Sequence, residues 1–202
     1  LNVGGKPDAN TKDLAYWHYS VHNPKSAVSH FEGAVVNINA SDFYSENISY
    51  VNDWGLEAQN GPQALALKTK ADRIAFYNCK FRSFQDTWMT TTRDADRHYV
   101  KECWLEGAVD YFYGGGNALV EESTLYNVRS GSVIVAPCHE SVKYGYVFRN
   151  CVIDGNEQAA DGKLKLGRPW HNSPKAVYIN TLVKIPLAPE GWTNMGTIPA
   201  LF

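Results

Sequence analysis

Residues 76–114 read FYNCKFRSFQDTWMTTTRDADRHYVKECWLEGAVDYFYG, and one short phrase occurs in them twice. Phe76-Tyr77-Asn78-Cys79-Lys80-Phe81 is answered by Tyr99-Val100-Lys101-Glu102-Cys103-Trp104-Leu105. Seven residues after each cysteine stands an aspartate, Asp86 and then Asp110, so cysteines and aspartates are both 24 residues apart. A repeat of that length suggests stacked structural units. Stacking sets the two carboxylates one above the other.

The phrase recurs to the end of the chain. Its other copies are Glu46-Asn47-Ile48, Glu122-Ser123-Thr124-Leu125, Asn150-Cys151-Val152-Ile153 and Asn180-Thr181-Leu182-Val183. Aligned on positions 47, 79, 103, 123, 151 and 181, the steps are 32, 24, 20, 28 and 30. Short β-branched and aromatic runs surround them, beginning with Ala34-Val35-Val36-Asn37-Ile38 and Phe43-Tyr44, and no helical period competes. Residues 1–30 are polar and turn-rich, an irregular entry with at most one strand. The pattern predicts a parallel β-solenoid of uneven turns; an antiparallel sandwich is the alternative. Constant offsets inside the phrase favour the solenoid, whose rungs lie ~4.8 Å apart.

Composition narrows the classes. The 202 residues are 44% hydrophobic and 20% charged, enough for one substantial core, and read as one domain over 1–202. A net charge of −2 leaves no basic footprint for nucleic acid or a membrane surface, and no apolar run reaches the ~18 residues of a membrane span. Cys79, Cys103, Cys138 and Cys151 lack zinc spacing, and three of them share one repeat position. They read as a ladder of small buried thiols rather than a disulfide framework. Six tryptophans and twelve tyrosines suit sugar stacking as well as a core.

Two carboxylates roughly 5 Å apart on consecutive rungs do not titrate independently. One can hold a proton as an acid while the other stays ionised. A solvated outward ladder of aspartates fits the spacing equally well.

Four further segments occur in order: Gly61-Pro62-Gln63-Ala64-Leu65-Ala66-Leu67, Phe84-Gln85-Asp86-Thr87, Gly107-Ala108-Val109-Asp110-Tyr111-Phe112-Tyr113-Gly114 and Leu166-Gly167-Arg168-Pro169-Trp170. Together they resemble the signature segments of the pectin methylesterases, carbohydrate esterases on a right-handed parallel β-helix. The resemblance runs from about Ala34 to Trp192. It implies that Asp110 is the nucleophile, Asp86 the acid/base, Gln63 and Gln85 the amide donors to the tetrahedral intermediate, and Arg168 the partner of the nucleophile. It implies Trp170 as a sugar platform and Tyr113 as a substrate contact. Neither a metal nor a cofactor is implied. His98, His139 and His171 are isolated and read as structural or solvent-facing.

The chain departs from the family pattern in two places. The usual Phe-Ile-Phe after the nucleophile is here Tyr111-Phe112-Tyr113, which adds a hydroxyl at Tyr113. The family's additional N-terminal rungs, with a glycine-rich segment, are not in this sequence; this implies a complement polypeptide that completes the β-helix, of which the chain is the larger C-terminal part. Trp192 and Met195, in Gly191-Trp192-Thr193-Asn194-Met195, are further cleft candidates. The implied substrate is methyl-esterified pectin or a related galacturonate polysaccharide, and the implied setting is secreted or periplasmic. A β-helix glycosidase, an esterase for another ester, and a non-catalytic carbohydrate-binding β-helix remain the competing readings.

Overall fold

The computed structural model describes residues 34–53 and 63–200. The irregular entry expected at residues 1–30 and the Gly61-Pro62 pair lie outside the described residues. Everything described is strand, turn and loop, wound into six coils of three strands. The first coil is β1 (Val36–Ile38), β2 (Phe43–Glu46) and β3 (Ser49–Val51), and the second is β4 (Leu67–Thr69), β5 (Ile74–Tyr77) and β6 (Lys80–Arg82). The third is β7 (Trp88–Met89), β8 (Arg97–Lys101) and β9 (Trp104–Gly107), and the fourth β10 (Val109–Gly114), β11 (Asn117–Glu121) and β12 (Thr124–Asn127). The fifth is β13 (Val133–Pro137), β14 (Tyr146–Arg149) and β15 (Val152–Gly155), and the sixth β16 (Lys165–Gly167), β17 (Ala176–Ile179) and β18 (Leu182–Val183). Equivalent strands pair in parallel, giving three six-stranded sheets led by β1, β2 and β3. The expected parallel β-solenoid is what the chain forms.

The repeated phrase turns out to be a corner. Each coil passes from its second strand to its third through two residues, and the first of the two is left-handed: Asn47 (φ 59°), Asn78 (47°), Glu102 (54°), Glu122 (50°), Asn150 (55°) and Asn180 (49°). Asparagine tolerates that region better than most L-residues, which explains its recurrence; the two glutamates accept a conformation their side chains disfavour. Asn78 Nδ2 donates to Asn47 Oδ1 of the coil below at 2.7 Å, so the corner column is also hydrogen-bonded. In the four middle coils the second corner residue is buried, as Cys79, Cys103, Ser123 and Cys151. The Cys79 amide donates to Cys103 Sγ at 3.3 Å and the Cys103 amide to Ser123 Oγ at 3.0 Å. Cys79, Cys103 and Cys151 are buried free thiols of this column, and Cys138 is a half-buried one outside it.

One expectation shifts by a residue. Glu46 faces Tyr77 and Ser49 faces Lys80, so Ile48, not Asn47, is the equivalent of Cys79. The alignment slipped there because the second corner position of the first coil holds a bulky, exposed aliphatic side chain instead of a small buried one.

Alternation along each strand fills the interior with stacked rings and aliphatics. Leu67, Trp88, Phe112 and Val135 follow one another across the first sheet. Trp88 meets Phe112 edge-on at 5.1 Å and Phe76 at 5.0 Å, while Tyr50 and Phe81 stack 5.4 Å apart at 9°. His98 and His139 are also buried, as a structural role requires. His98 Nε2 meets Thr69 Oγ1 at 3.0 Å, and His139 Nδ1 accepts from the Lys175 amide at 3.3 Å. Burial pushes each imidazole down to about 4, so both are held neutral in the fold.

That depression has a sign in acid. Between the ordinary histidine value of 6.5 and about 4 the unfolded chain takes up protons that the folded chain refuses. Stability contributed by the two neutral rings is complete above 6.5 and is lost as pH falls through that window, at up to about 1.4 kcal/mol per pH unit per histidine. Thermal unfolding measured from neutrality down to pH 4 is expected to show Tm falling most steeply there. A Tm independent of pH across the interval would contradict the buried neutral state.

Candidate active site

The third and fourth coils bring the two aspartates together. Gln85 bridges Val109 and Trp88 pairs with Phe112, so the register sets Asp86 opposite Asp110. The Asp86 amide donates to the Val109 carbonyl at 2.9 Å. Both aspartates are left-handed, with φ of 60° at Asp86 and 52° at Asp110. Such backbone is held only where surrounding structure over-determines it, and it clusters at functional sites. It also resolves a difficulty in the sequence: strict alternation would turn Gln85 and Asp86 to opposite sides, but the kink at Asp86 breaks the alternation. The Gln85 side chain opposes the rise in the Asp86 pKa.

A bulge does the same work on the next coil. Val109 pairs with Val133 but Phe112 pairs with Val135, so Asp110 and Tyr111 together oppose one residue, Ile134. Tyr111 and Phe112 therefore both turn into the core. Tyr111 hydrogen-bonds Asn127 Oδ1 at 3.2 Å. Its ring base rests on Gly107, where a Cβ would overlap the Tyr111 Cβ and come 2.9 Å from Thr87 Oγ1. Gly107 makes room for the bulge that aims Asp110.

Arg168 arrives from two coils above. Its amide donates to the Val135 carbonyl at 2.9 Å. Its guanidinium descends to Asp110, with Nε 2.9 Å from Oδ1 and Nη2 2.6 Å from Oδ2. This is the two-pronged geometry a planar guanidinium makes with a carboxylate. Gly167 permits the approach, because a Cβ there would overlap Val135 Cγ2 and stand 2.9 Å from its carbonyl. Pro169 follows, and the Trp170 amide donates to the Pro137 carbonyl at 2.9 Å.

The two carboxyls are unequal. Both are buried. Burial, and then the charge of Asp110, push Asp86 well above the carboxylate range, against smaller opposing effects of Arg168 and Gln85. Burial also raises Asp110, but the hydrogen bonds and charge of Arg168 oppose it. Asp86 is the member that keeps a proton and Asp110 the member that ionises.

The remaining candidates come from the second, fourth and sixth coils. Gln63 is half-buried one coil below, beside Ala64, whose amide donates to the Gln85 carbonyl at 3.0 Å. Tyr113 and the half-buried Trp170 meet at 5.6 Å and 64°. They form a separate apolar group with Leu65, Met89, Ala136 and Met195. Trp192, by contrast, packs on the main core beside Tyr178 and Gly167, and buttresses the Arg168 loop. Met89 and Ala136 were not singled out from sequence. Their signal was the register, since Met89, Tyr113 and Ala136 are consecutive cross-strand partners.

A family profile described as Pectinesterase matches residues 19–201. The chain belongs to the pectinesterase family. It is similar to Pectinesterase 31 of Arabidopsis thaliana, 36% identical over 166 residues that cover 81% of this chain and 49% of that protein. The crystal structure of the Aspergillus niger pectin methylesterase superposes with a TM-score of 0.75 at 31% identity, covering 84% of this chain and 55% of that one. The rice weevil pectin methyl esterase superposes with a TM-score of 0.77 at 25% identity, covering 95% and 58%. The chain thus spans about half the length of the curated relatives it matches.

Because Tyr111 sits directly on Gly107, a methyl group at that position forces the bulge to move. Gly107→Ala is expected to lower stability by about 1–3 kcal/mol, the usual cost of overpacking. Chemical denaturation would measure it, and a variant as stable as the parent would show that Gly107 is not what seats the bulge.

Proposed function

We propose that this chain carries the catalytic groups of an esterase that hydrolyses galacturonate methyl esters in pectin or a related polysaccharide, yielding methanol and a free carboxylate. The observation that carries the reading is the two-pronged Arg168–Asp110 ion pair set beside the buried, proton-holding Asp86. Membership of the pectinesterase family supports the same reaction class.

In this reading the Asp110 carboxylate attacks the ester carbonyl carbon, and the amides of Gln63 and Gln85 donate to the oxygen that becomes negative. Asp86 gives its proton to the methoxyl oxygen, methanol leaves, and the acyl group remains on Asp110 as an anhydride. Asp86, now ionised, takes a proton from water as the water attacks that anhydride. Collapse returns Asp110 as a carboxylate and Asp86 as an acid. Arg168 keeps the nucleophile charged and oriented throughout. Trp170 offers an aromatic face to the sugar, with Tyr113 against it. A substrate of this kind belongs to a secreted or periplasmic enzyme.

A retaining glycosidase also uses carboxyls about 5 Å apart. Two amides and a guanidinium bound to the nucleophile suit an acyl oxyanion better. The reading also takes residues 1–202 as one β-helix domain completed by a further polypeptide. Among the described residues, β1, β2 and β3 are unpaired on the side away from β4, β5 and β6, which is where additional coils would stack. If the chain alone is a cooperatively folded, fully active monomer, that complement is unnecessary.

Methanol release from methylated pectin, followed alongside new reducing ends, is the deciding assay. Methanol without reducing ends is expected. Asp110→Asn should abolish release, Asp86→Asn should slow it by about 10²–10⁴-fold, and Gln85→Ala by about 10²–10³-fold, with Tm near the parent value. Release that survives Asp110→Asn would remove the nucleophile from the scheme, and a parent chain that releases no methanol would favour a merely carbohydrate-binding β-helix.

A further inference from the structure

The Tyr113 hydroxyl is buried and has no hydrogen-bond partner among the described residues. Its ring is fixed on every side. It lies between Met89 and Ala136 in the cross-strand register and packs edge-on against Trp170. It stands three residues after Asp110 on β10, and its partner Met89 stands three residues after Asp86. The Tyr113–Met89 pair therefore follows the Asp110–Asp86 pair at the same offset along both coils, and both carboxyl charges act on the phenol. A buried polar group without a partner destabilises the free protein, and natural folds leave few of them, a catalytic role being one reason to keep one.

The chemistry proposed above identifies the atom that is lacking a donor. An ester presents two oxygens. Gln63 and Gln85 serve the carbonyl oxygen, whereas the methoxyl oxygen, and later the attacking water, has Asp86 alone. We propose that the Tyr113 hydroxyl is a further catalytic residue, donating a hydrogen bond to the oxygen that Asp86 protonates during methanol departure and deprotonates during hydrolysis. This rests on the esterase reading. Burial, then the nearby charges of Asp86 and Asp110 in that order, push the phenol well above its ordinary value of 10.0. Tyr113 therefore acts as a neutral donor and orients its oxygen partner; the proton itself moves to and from Asp86.

Tyr113→Phe removes only the hydroxyl and restores the phenylalanine usual in the family pattern, so the variant should fold. Methanol release kinetics on methylated oligogalacturonate, measured on the full chain with any partner it purifies with, test the role. The expected result is a kcat about tenfold lower, the effect of one hydrogen bond, with KM within about twofold and Tm equal to or above the parent. A parent-like kcat, a change confined to KM, or a loss of rate that tracks a lower Tm would each overturn it. If neither protein releases methanol, the esterase reading itself fails and takes this proposal with it; unaltered release from Tyr113→Phe defeats the proposal alone.

Discussion

Parallel pairing between successive coils is the constraint on which the rest of this structure depends. A one-residue slip between coils would exchange inside for outside at every following position, because side chains alternate along a strand. The two-residue corner prevents that slip. Its left-handed first residue bends every coil at the same height, and its second residue, buried in the middle coils, hydrogen-bonds at Cys79 and Cys103 to the coil above. Once the corner at Asn78 is registered on the corner at Glu102, the aspartates that follow have little freedom but to face each other.

This explains which parts of the fold could be read from sequence. The corner leaves a chemical trace, since few residues other than asparagine accept its backbone and its buried second position in the middle coils is filled by cysteine or serine. The coils were therefore visible in their order and spacing. The trace failed where the chemistry was atypical, at Ile48, and there the alignment slipped. Local departures from strand geometry left no such trace. Nothing in Val109-Asp110-Tyr111-Phe112 announces a bulge, and plain alternation would put Tyr111 and Phe112 on opposite sides. Gln85 looked doubtful for the same reason, until the left-handed backbone at Asp86 removed the objection. Arg168 was legible only through family resemblance, because 58 residues of chain separate it from Asp110.

Electrostatics and packing make one joint demand on the site. Two buried carboxyls share a single guanidinium, and burying a second uncompensated anion would be costly. The cluster approaches neutrality when one carboxyl keeps its proton. The arrangement least costly to bury is thus the one that holds a protonated carboxyl and an ionised one side by side. The strain at Asp86 and Asp110 adds to that cost, and the aromatic interior, centred on Trp88 and Phe112, is the rigid body that supports it.

Arg168 has its backbone on the sixth coil, and its guanidinium rests on a residue of the fourth. The ion pair is therefore a strut across the intervening coil, and it can close only after the last described coil has docked. A chain stacked as far as the fifth coil would already hold both aspartates and most of the aromatic core, yet its Asp110 would lack the guanidinium that pairs with it. Chemical competence in such a molecule reports complete assembly, in the way a final keystone does: loosening of the far end would silence the site well before the coils beneath it came apart.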